Sequence, residues 1–172
     1  MKKICISFLL IGIIFVIVIA GINTISVNEE YLRIHIRANS NSNMDQEIKY
    51  IVKDEVVNFL TPYIAECDSK EKVVTMLNSN KEKIENIIDS LLYNYGFNYN
   101  SSVAIRNEMF PTRVYENFTL YEGVYDAIII ELGKAEGDNW WCVVYPPLCF
   151  TSGSYSIKYK SKILEIIQNF KK

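Results

Sequence analysis

Residues Ile4–Ile22 read ICISFLLIGIIFVIVIAGI, an apolar run broken only by Ser7, Gly12 and Gly21. At the helical rise such a run spans about 28 Å, close to the bilayer's hydrocarbon thickness of about 30 Å. It has no polar face, which a surface helix of a soluble core needs. Lys2 and Lys3 precede it, and Val18-Ile19-Ala20 offers a small-residue cleavage site. Residues 1–22 therefore read as either an uncleaved membrane anchor or a signal peptide. In both readings the lysines stay inside, and Asn23–Lys172 is expected on the far side of the membrane.

That exported stretch is long enough to fold unaided, because about 150 residues bury roughly 68–70% of their unfolded surface. The whole chain carries a formal charge of −2, from 18 basic and 20 acidic residues. Without residues 1–22 the balance is about −4 by the same counting. No basic face exists for nucleic acid. An apolar fraction of 49% argues against disorder. Four cysteines are too few for a disulfide scaffold, and a single histidine excludes any site that needs two imidazoles.

Residues 23–30 form a polar connector, and 31–172 form the exported unit. Tyr31–Ala38 alternates, with Leu32, Ile34 and Ile36 on one side and Arg33, His35 and Arg37 on the other, the pattern of a half-buried strand. Asn39–Asn43 is a loop feeding a helix that starts near Asp45, with Asn43 as N-cap. Ile48, Ile51, Val52, Val56, Phe59, Leu60 and Tyr63 form its apolar stripe. Asp45, Lys49 and Lys53 lie opposite, and Pro62 is expected to end or kink it. A second helical stretch starts at Ser69 and is expected to break at Asn78. Ser79-Asn80-Lys81-Glu82 then reads as a capping box for a third helix. Gly96 sits where a left-handed residue closes that helix. Strands come next, around Tyr99–Met109 and over Val124–Leu132, the latter apolar on both sides and therefore central. Gly133–Asn139 is a polar turn, and Trp140–Tyr145 is the returning strand, stopped by Pro146-Pro147. A last amphipathic helix covers Tyr159–Phe170. The sum is an α+β fold with helices packed on one face of a small, mostly antiparallel sheet. No internal repeat is present.

Catalytic and metal chemistry find little to work with. His35 is expected as a surface or hydrogen-bonded residue whose flanking arginines lower its pKa. An enzyme would have to pair it with Cys67, Cys142, Cys149 or a serine. Zinc has no matching set of ligands, and no recognisable nucleotide, hydrolase or metalloprotease motif occurs. No cofactor is implied. Cys142 and Cys149 sit in an exported unit, so they are either a disulfide closing WCVVYPPLC or two buried thiols. The tract Asn139–Phe150, NWWCVVYPPLCF, puts large apolar side chains on both faces of one strand. Some of this surface is either core or a protein-docking patch, since Trp, Tyr and Arg dominate binding energy at interfaces. Phe110–Tyr115, FPTRVY, has the same character.

These tracts carry a resemblance. LRIHIRANSNSNMDQEIKYIVKDEV, FPTRVY and EGVYDAIIIELGKAEGDNWWCVVYPPLCF resemble the stage II sporulation protein R family, whose pattern is (R)AxSDSxxDQxxK, FPTR and a glycine-rich turn before NWWCVxxPPLCF. The likeness covers roughly Leu32–Phe150. Asn41 stands where an acidic residue is usual, and Lys134-Ala135-Glu136 replaces a more glycine-rich turn. The resemblance implies a signal rather than an enzyme. Such proteins are made in the forespore and exported into the space between the two sporulating cells. There they activate a membrane-embedded aspartic protease that matures pro-sigma-E. On that reading the partner-binding residues are Arg113, Tyr115, Trp140, Trp141, Pro146, Pro147, Leu148 and Phe150. The alternative is a membrane-associated extracytoplasmic enzyme acting on cell wall or a small molecule.

Overall fold

A computed structural model describes residues 27–115 and 118–149. The elements run β1 (Val27–Arg37), α1 (Asn43–Ala65), α2 (Lys70–Asn94), β2 (Ser101–Phe110), β3 (Arg113–Tyr115), β4 (Phe118–Leu120), β5 (Gly123–Leu132) and β6 (Asn139–Tyr145). Residues 4–22, Phe150 and the expected helix over 159–170 lie outside the described residues. Among the described residues no helix is long and apolar enough to cross a membrane.

Four strands form one sheet in the order β2-β5-β1-β6, and β3 and β4 form a separate hairpin. β5 pairs antiparallel with β2 and parallel with β1, and β6 pairs antiparallel with β1. The fold is thus α+β on a mostly antiparallel sheet, with β5 central as its two apolar faces require. β6 does not return beside β5, because β1 lies between them. Turn composition identifies Gly133–Asn139 as a reversal but does not say which strand the chain comes back to.

The main core lies between the helices and one sheet face. Leu32, Ile34, Ile36, Ile128, Ile130 and Leu132 on the strands are wholly buried. Against them α1 presents Ile48, Val52, Val56, Leu60 and Ile64, and α2 presents Val73, Leu77, Ile84, Ile88 and Leu92. The four-residue steps keep each set on one helical stripe. Burying each such side chain contributes about 1.5–3 kcal/mol.

Three helix boundaries differ from the sequence pattern. Ser42, not Asn43, caps α1, its hydroxyl accepting from the Asp45 N–H at 3.1 Å. Pro62 lies inside α1, which continues to Ala65. Its ring forfeits one backbone hydrogen bond, but the wholly buried Ile64 holds the last turn against the core. α2 runs unbroken through Asn78-Ser79-Asn80. Those side chains donate to the carbonyls of Val74, Thr75 and Met76, one turn back, instead of capping a new helix. At the far end Gly96 has φ 82°, the left-handed residue expected there. Its N–H bonds to Tyr93 O, and the Phe97 N–H bonds to Leu92 O. This double closure satisfies carbonyls of the last turn.

Candidate docking surface

The side chains of β1 that alternate with Leu32, Ile34 and Ile36 point to the sheet face that no described helix covers, called the helix-free face. Sequence alternation places Arg33 and His35 on a polar face; both are in fact buried. Phe110, Tyr125, Ala127 and Ile129 make a second small core there, with Tyr31 and Trp141 packed against it. Arg33 is wholly buried, its guanidinium 4.1 Å from the Phe110 ring centroid and 4.9 Å from that of Tyr125. Nη2 donates to the Tyr115 hydroxyl at 3.2 Å. Burial lowers the Arg33 pKa, and Tyr115 partly offsets this. Arginine nonetheless stays charged at neutral pH.

His35 sits beside this cation in a fully engaged position. Nδ1 lies 2.5 Å from Glu108 Oε1, and Nε2 lies 2.9 Å from the side-chain amide of Asn139. Burial pushes the imidazole pKa down, and the hydrogen bonds to Asn139 and Glu108 only partly offset it. The expected depression is therefore present, but desolvation is its main cause and Arg37 a small one. Arg37 donates to Glu131 at 2.7 Å and to Glu108 at 2.8 Å. Burial raises the Glu108 carboxyl, but His35 and the neighbouring arginines outweigh it and hold the pKa below the usual range.

The expected docking residues divide between the two faces. Arg113 lies over Trp141, its guanidinium carbon 4.0 Å from the ring centroid. Trp141 stacks with His35 at 5.2 Å. Tyr115 joins them on the helix-free side through Arg33 and stacks on Phe118 at 4.9 Å. Trp140 is register partner to Ile36 and packs against the main core on the other face. At the end of β6, Pro147 is buried, Pro146 is half-buried and Leu148 is 37% exposed. Cys142 and Cys149 are paired as a disulfide, with Cα atoms 6.3 Å apart.

Little of this arrangement suits catalysis. Both His35 nitrogens are occupied, and Cys142 lies on the opposite face of the sheet in the disulfide. Cys67 is the free cysteine among the described residues. Its thiol donates to Tyr63 O at 3.3 Å, and burial raises its pKa, which disfavours a thiolate. Among the described residues no cluster of three or more His, Cys, Asp or Glu is placed to hold a metal ion.

Comparison with known proteins adds what geometry alone does not give. The family model for stage II sporulation protein R matches residues 28–155. The chain belongs to that family. Stage II sporulation protein R of Bacillus subtilis (strain 168) is 36% identical over 124 residues. These cover 72% of this chain and 55% of the relative, so the chain spans about half the length of the curated relative it matches. No solved structure matches. Membership places the chain among sporulation proteins and not in an enzyme family.

Part of the sequence pattern of the stage II sporulation protein R family builds a structural latch. Asp45 is buried, not on the solvent side of α1. Its Oδ2 accepts from Asn39 Nδ2 at 2.9 Å and from Ser40 Oγ at 2.5 Å, and its Oδ1 accepts from the Tyr99 hydroxyl at 2.6 Å. Burial raises the Asp45 carboxyl, but these donors outweigh it and hold the pKa below the usual range. Asn41 Oδ1 accepts the Asp138 N–H at 2.6 Å, so an uncharged oxygen serves at this position. Lys49, also buried, donates to Gln46 Oε1 at 2.6 Å and to Asp138 O at 3.1 Å. The β1–α1 loop is thereby tied to the β5–β6 loop. Four-residue helix spacing alone puts Asp45 and Lys49 in water. Only the family pattern, in which they stand with Ser40, Ser42 and Gln46, hints at their partnership.

Proposed function

We propose that this chain is an exported sporulation signal that docks on a membrane-embedded aspartic protease and favours its active state. Maturation of pro-sigma-E is the result. Family membership supports the sporulation context. The apolar run Ile4–Ile22 behind two lysines supports export from the forespore into the intermembrane space, either with cleavage or with retention as an anchor. The observation that carries the docking role is the Arg113–Trp141 stack, a planar cation on a half-buried indole at the margin of the second core. Such pairs combine large contact area with directional hydrogen bonding, the combination that dominates interface energetics. Binding shifts the receptor only through differential affinity for its active state. The docking residues must therefore touch a part of the protease that differs between its states.

The test replaces Arg113 and Trp141 singly by alanine in sporulating cells. Export is followed by immunoblot and folding by the circular dichroism of the purified chain. Processing of pro-sigma-E is expected to fail while export and fold persist. Normal processing in folded, exported variants overturns the docking surface.

A further inference from the structure

Among the described residues the outer edge of β2 is half closed and half open. Asn100 O accepts from the Gly133 N–H, so even-numbered residues of this strand turn their backbone groups toward β5. Odd-numbered residues turn theirs outward. The outward N–H of Ser101 is taken by Asp89 Oδ1 at 2.6 Å, and that of Val103 by Glu85 Oε1 at 2.8 Å, both from α2. Beyond Val103 the outward groups belong to Ile105, Asn107 and Met109, and among the described residues β2 is the terminal strand of the sheet on that side. The β3–β4 hairpin does not cover this edge. It crosses the helix-free face, where Tyr115 reaches Arg33 on β1 and Arg113 reaches Trp141 on β6.

We propose that this open edge pairs antiparallel with the same edge of a second copy, centred on Asn107. The register follows from self-complementarity. With Asn107 opposite Asn107 of the second copy, Ile105 faces Met109 and Arg106 faces Glu108. Each apolar side chain meets an apolar one, each charge meets its opposite, and no like charges are juxtaposed. All the hydrogen-bonding positions are odd-numbered on both strands, as an antiparallel ladder requires. The ends of the ladder agree as well. Val103 would face Pro111; the first has already given its N–H to Glu85, and the second has none. The pairing therefore stops at both ends for reasons built into the chain. The contact is isologous, with both helix layers on the same side of a continuous eight-stranded sheet. Five paired residues per strand make a small interface, suited to association at high local concentration on a membrane.

Crosslinking of the full chain in detergent tests the register. Cys5 and Cys67 are first replaced by serine. Residues opposite each other in a hydrogen-bonded antiparallel pair have Cα atoms about 5.5 Å apart, within disulfide range. Asn107→Cys is expected to give at least about tenfold more oxidised dimer than Ser102→Cys, an exposed position beyond the ladder. Adding Met109→Pro to Asn107→Cys removes an outward N–H that the folded monomer does not use, and should return crosslinking to the Ser102→Cys level with the dichroism unchanged. Equal crosslinking at positions 102 and 107 overturns the proposal. So does dimer formation that a folded Met109→Pro variant leaves intact. Neither readout depends on sigma-factor processing, so the result stands apart from the docking test.

Discussion

Arg113 lies with its guanidinium carbon 4.0 Å from the ring centroid of Trp141, joining the hairpin strand β3 to the edge strand β6 across the helix-free face. The contact sits outside the main core, so its loss should affect stability little and recognition a great deal. Both partners are half-buried, so Arg113→Ala is expected to cost about 1 kcal/mol in urea denaturation, between an exposed and a desolvated cation–π pair. Pro-sigma-E processing is expected to fall more than about tenfold, as for an interface hot spot. Arg113→Lys keeps the charge but loses the planar stacking surface, and should fall between the two. Equal processing in all three chains would remove this pair from the interface.

Asp45 collects three side-chain donors in a buried position, so truncating it leaves Asn39, Ser40 and Tyr99 without their acceptor. Asp45→Ala should destabilise the fold by about 3 kcal/mol. Asp45→Asn keeps the shape and one acceptor oxygen, and should cost about half as much. Urea midpoints at pH 7 measure both. A loss under about 1 kcal/mol for the alanine variant would mean that the latch is not a stability element.

The same latch constrains a glycine. A Cβ at Gly137 would stand 2.3 Å from the backbone oxygen of Ser40, whereas at Gly96 nothing lies within 4 Å. Gly96→Ala pays only for the left-handed backbone, about 1–2 kcal/mol. Gly137→Ala must displace the β1–α1 loop itself and should cost more than about 2 kcal/mol. Thermal unfolding ranks the two, and the reverse order would show that the loop yields.

Much of this scaffold is legible in the sequence, and the failures have a common cause. The apolar stripes of α1 and α2, the left-handed Gly96 and the doubly apolar β5 all follow from local pattern. Asn78-Ser79-Asn80 reads as a helix break and Pro62 as an end or kink, because local propensity ignores the anchoring of Ile64, Leu77 and Ile84 in the core. Alternation in β1 correctly separates Leu32, Ile34 and Ile36 from Arg33, His35 and Arg37. It does not reveal that Phe110, Tyr125 and Trp141 arrive from elsewhere in the chain to cover Arg33 and His35. Alternation also separates Trp140 from Trp141 onto opposite faces, as observed, but it does not show that His35 and Arg113 meet Trp141. The site depends on contacts distant in sequence, and periodicity carries no information about those.

Because the chain has a single histidine, its acid response should separate cleanly. Burial holds the folded His35 below its ordinary value of 6.5. Above that value both states are neutral and stability is full. As pH falls below 6.5 the unfolded chain takes a proton that the buried imidazole resists, so stability declines toward the folded pKa. Glu108 and Asp45 act lower down. Their folded pKa values are depressed, so their contributions are present above the usual carboxylate range and are lost as pH falls through the folded values. Unfolding free energy measured from pH 7.5 to 3 should show an upper decline that His35→Gln abolishes and a lower one that Asp45→Asn reduces. An upper decline unchanged in His35→Gln would contradict the buried neutral imidazole.

The Cys142–Cys149 pair joins the buried interior of β6 to the turn after Pro147. Closing a loop of this length removes unfolded-chain entropy worth about 2.5 kcal/mol. Cys142 lies against the main core, so that core should keep its shape when the bridge is cut while the exposed turn at Leu148 loses its tether. Reduction, or the double replacement by serine, is expected to lower stability by about 2–3 kcal/mol without unfolding the chain at 25 °C. Limited proteolysis should then cut near Leu148 before it cuts the helices, because an untethered exposed turn is the first backbone available to a protease. If reduction leaves both the urea midpoint and the first cleavage site unchanged, the bridge does not hold this turn, and the proposed docking residues Pro146, Pro147 and Leu148 owe their position to packing alone.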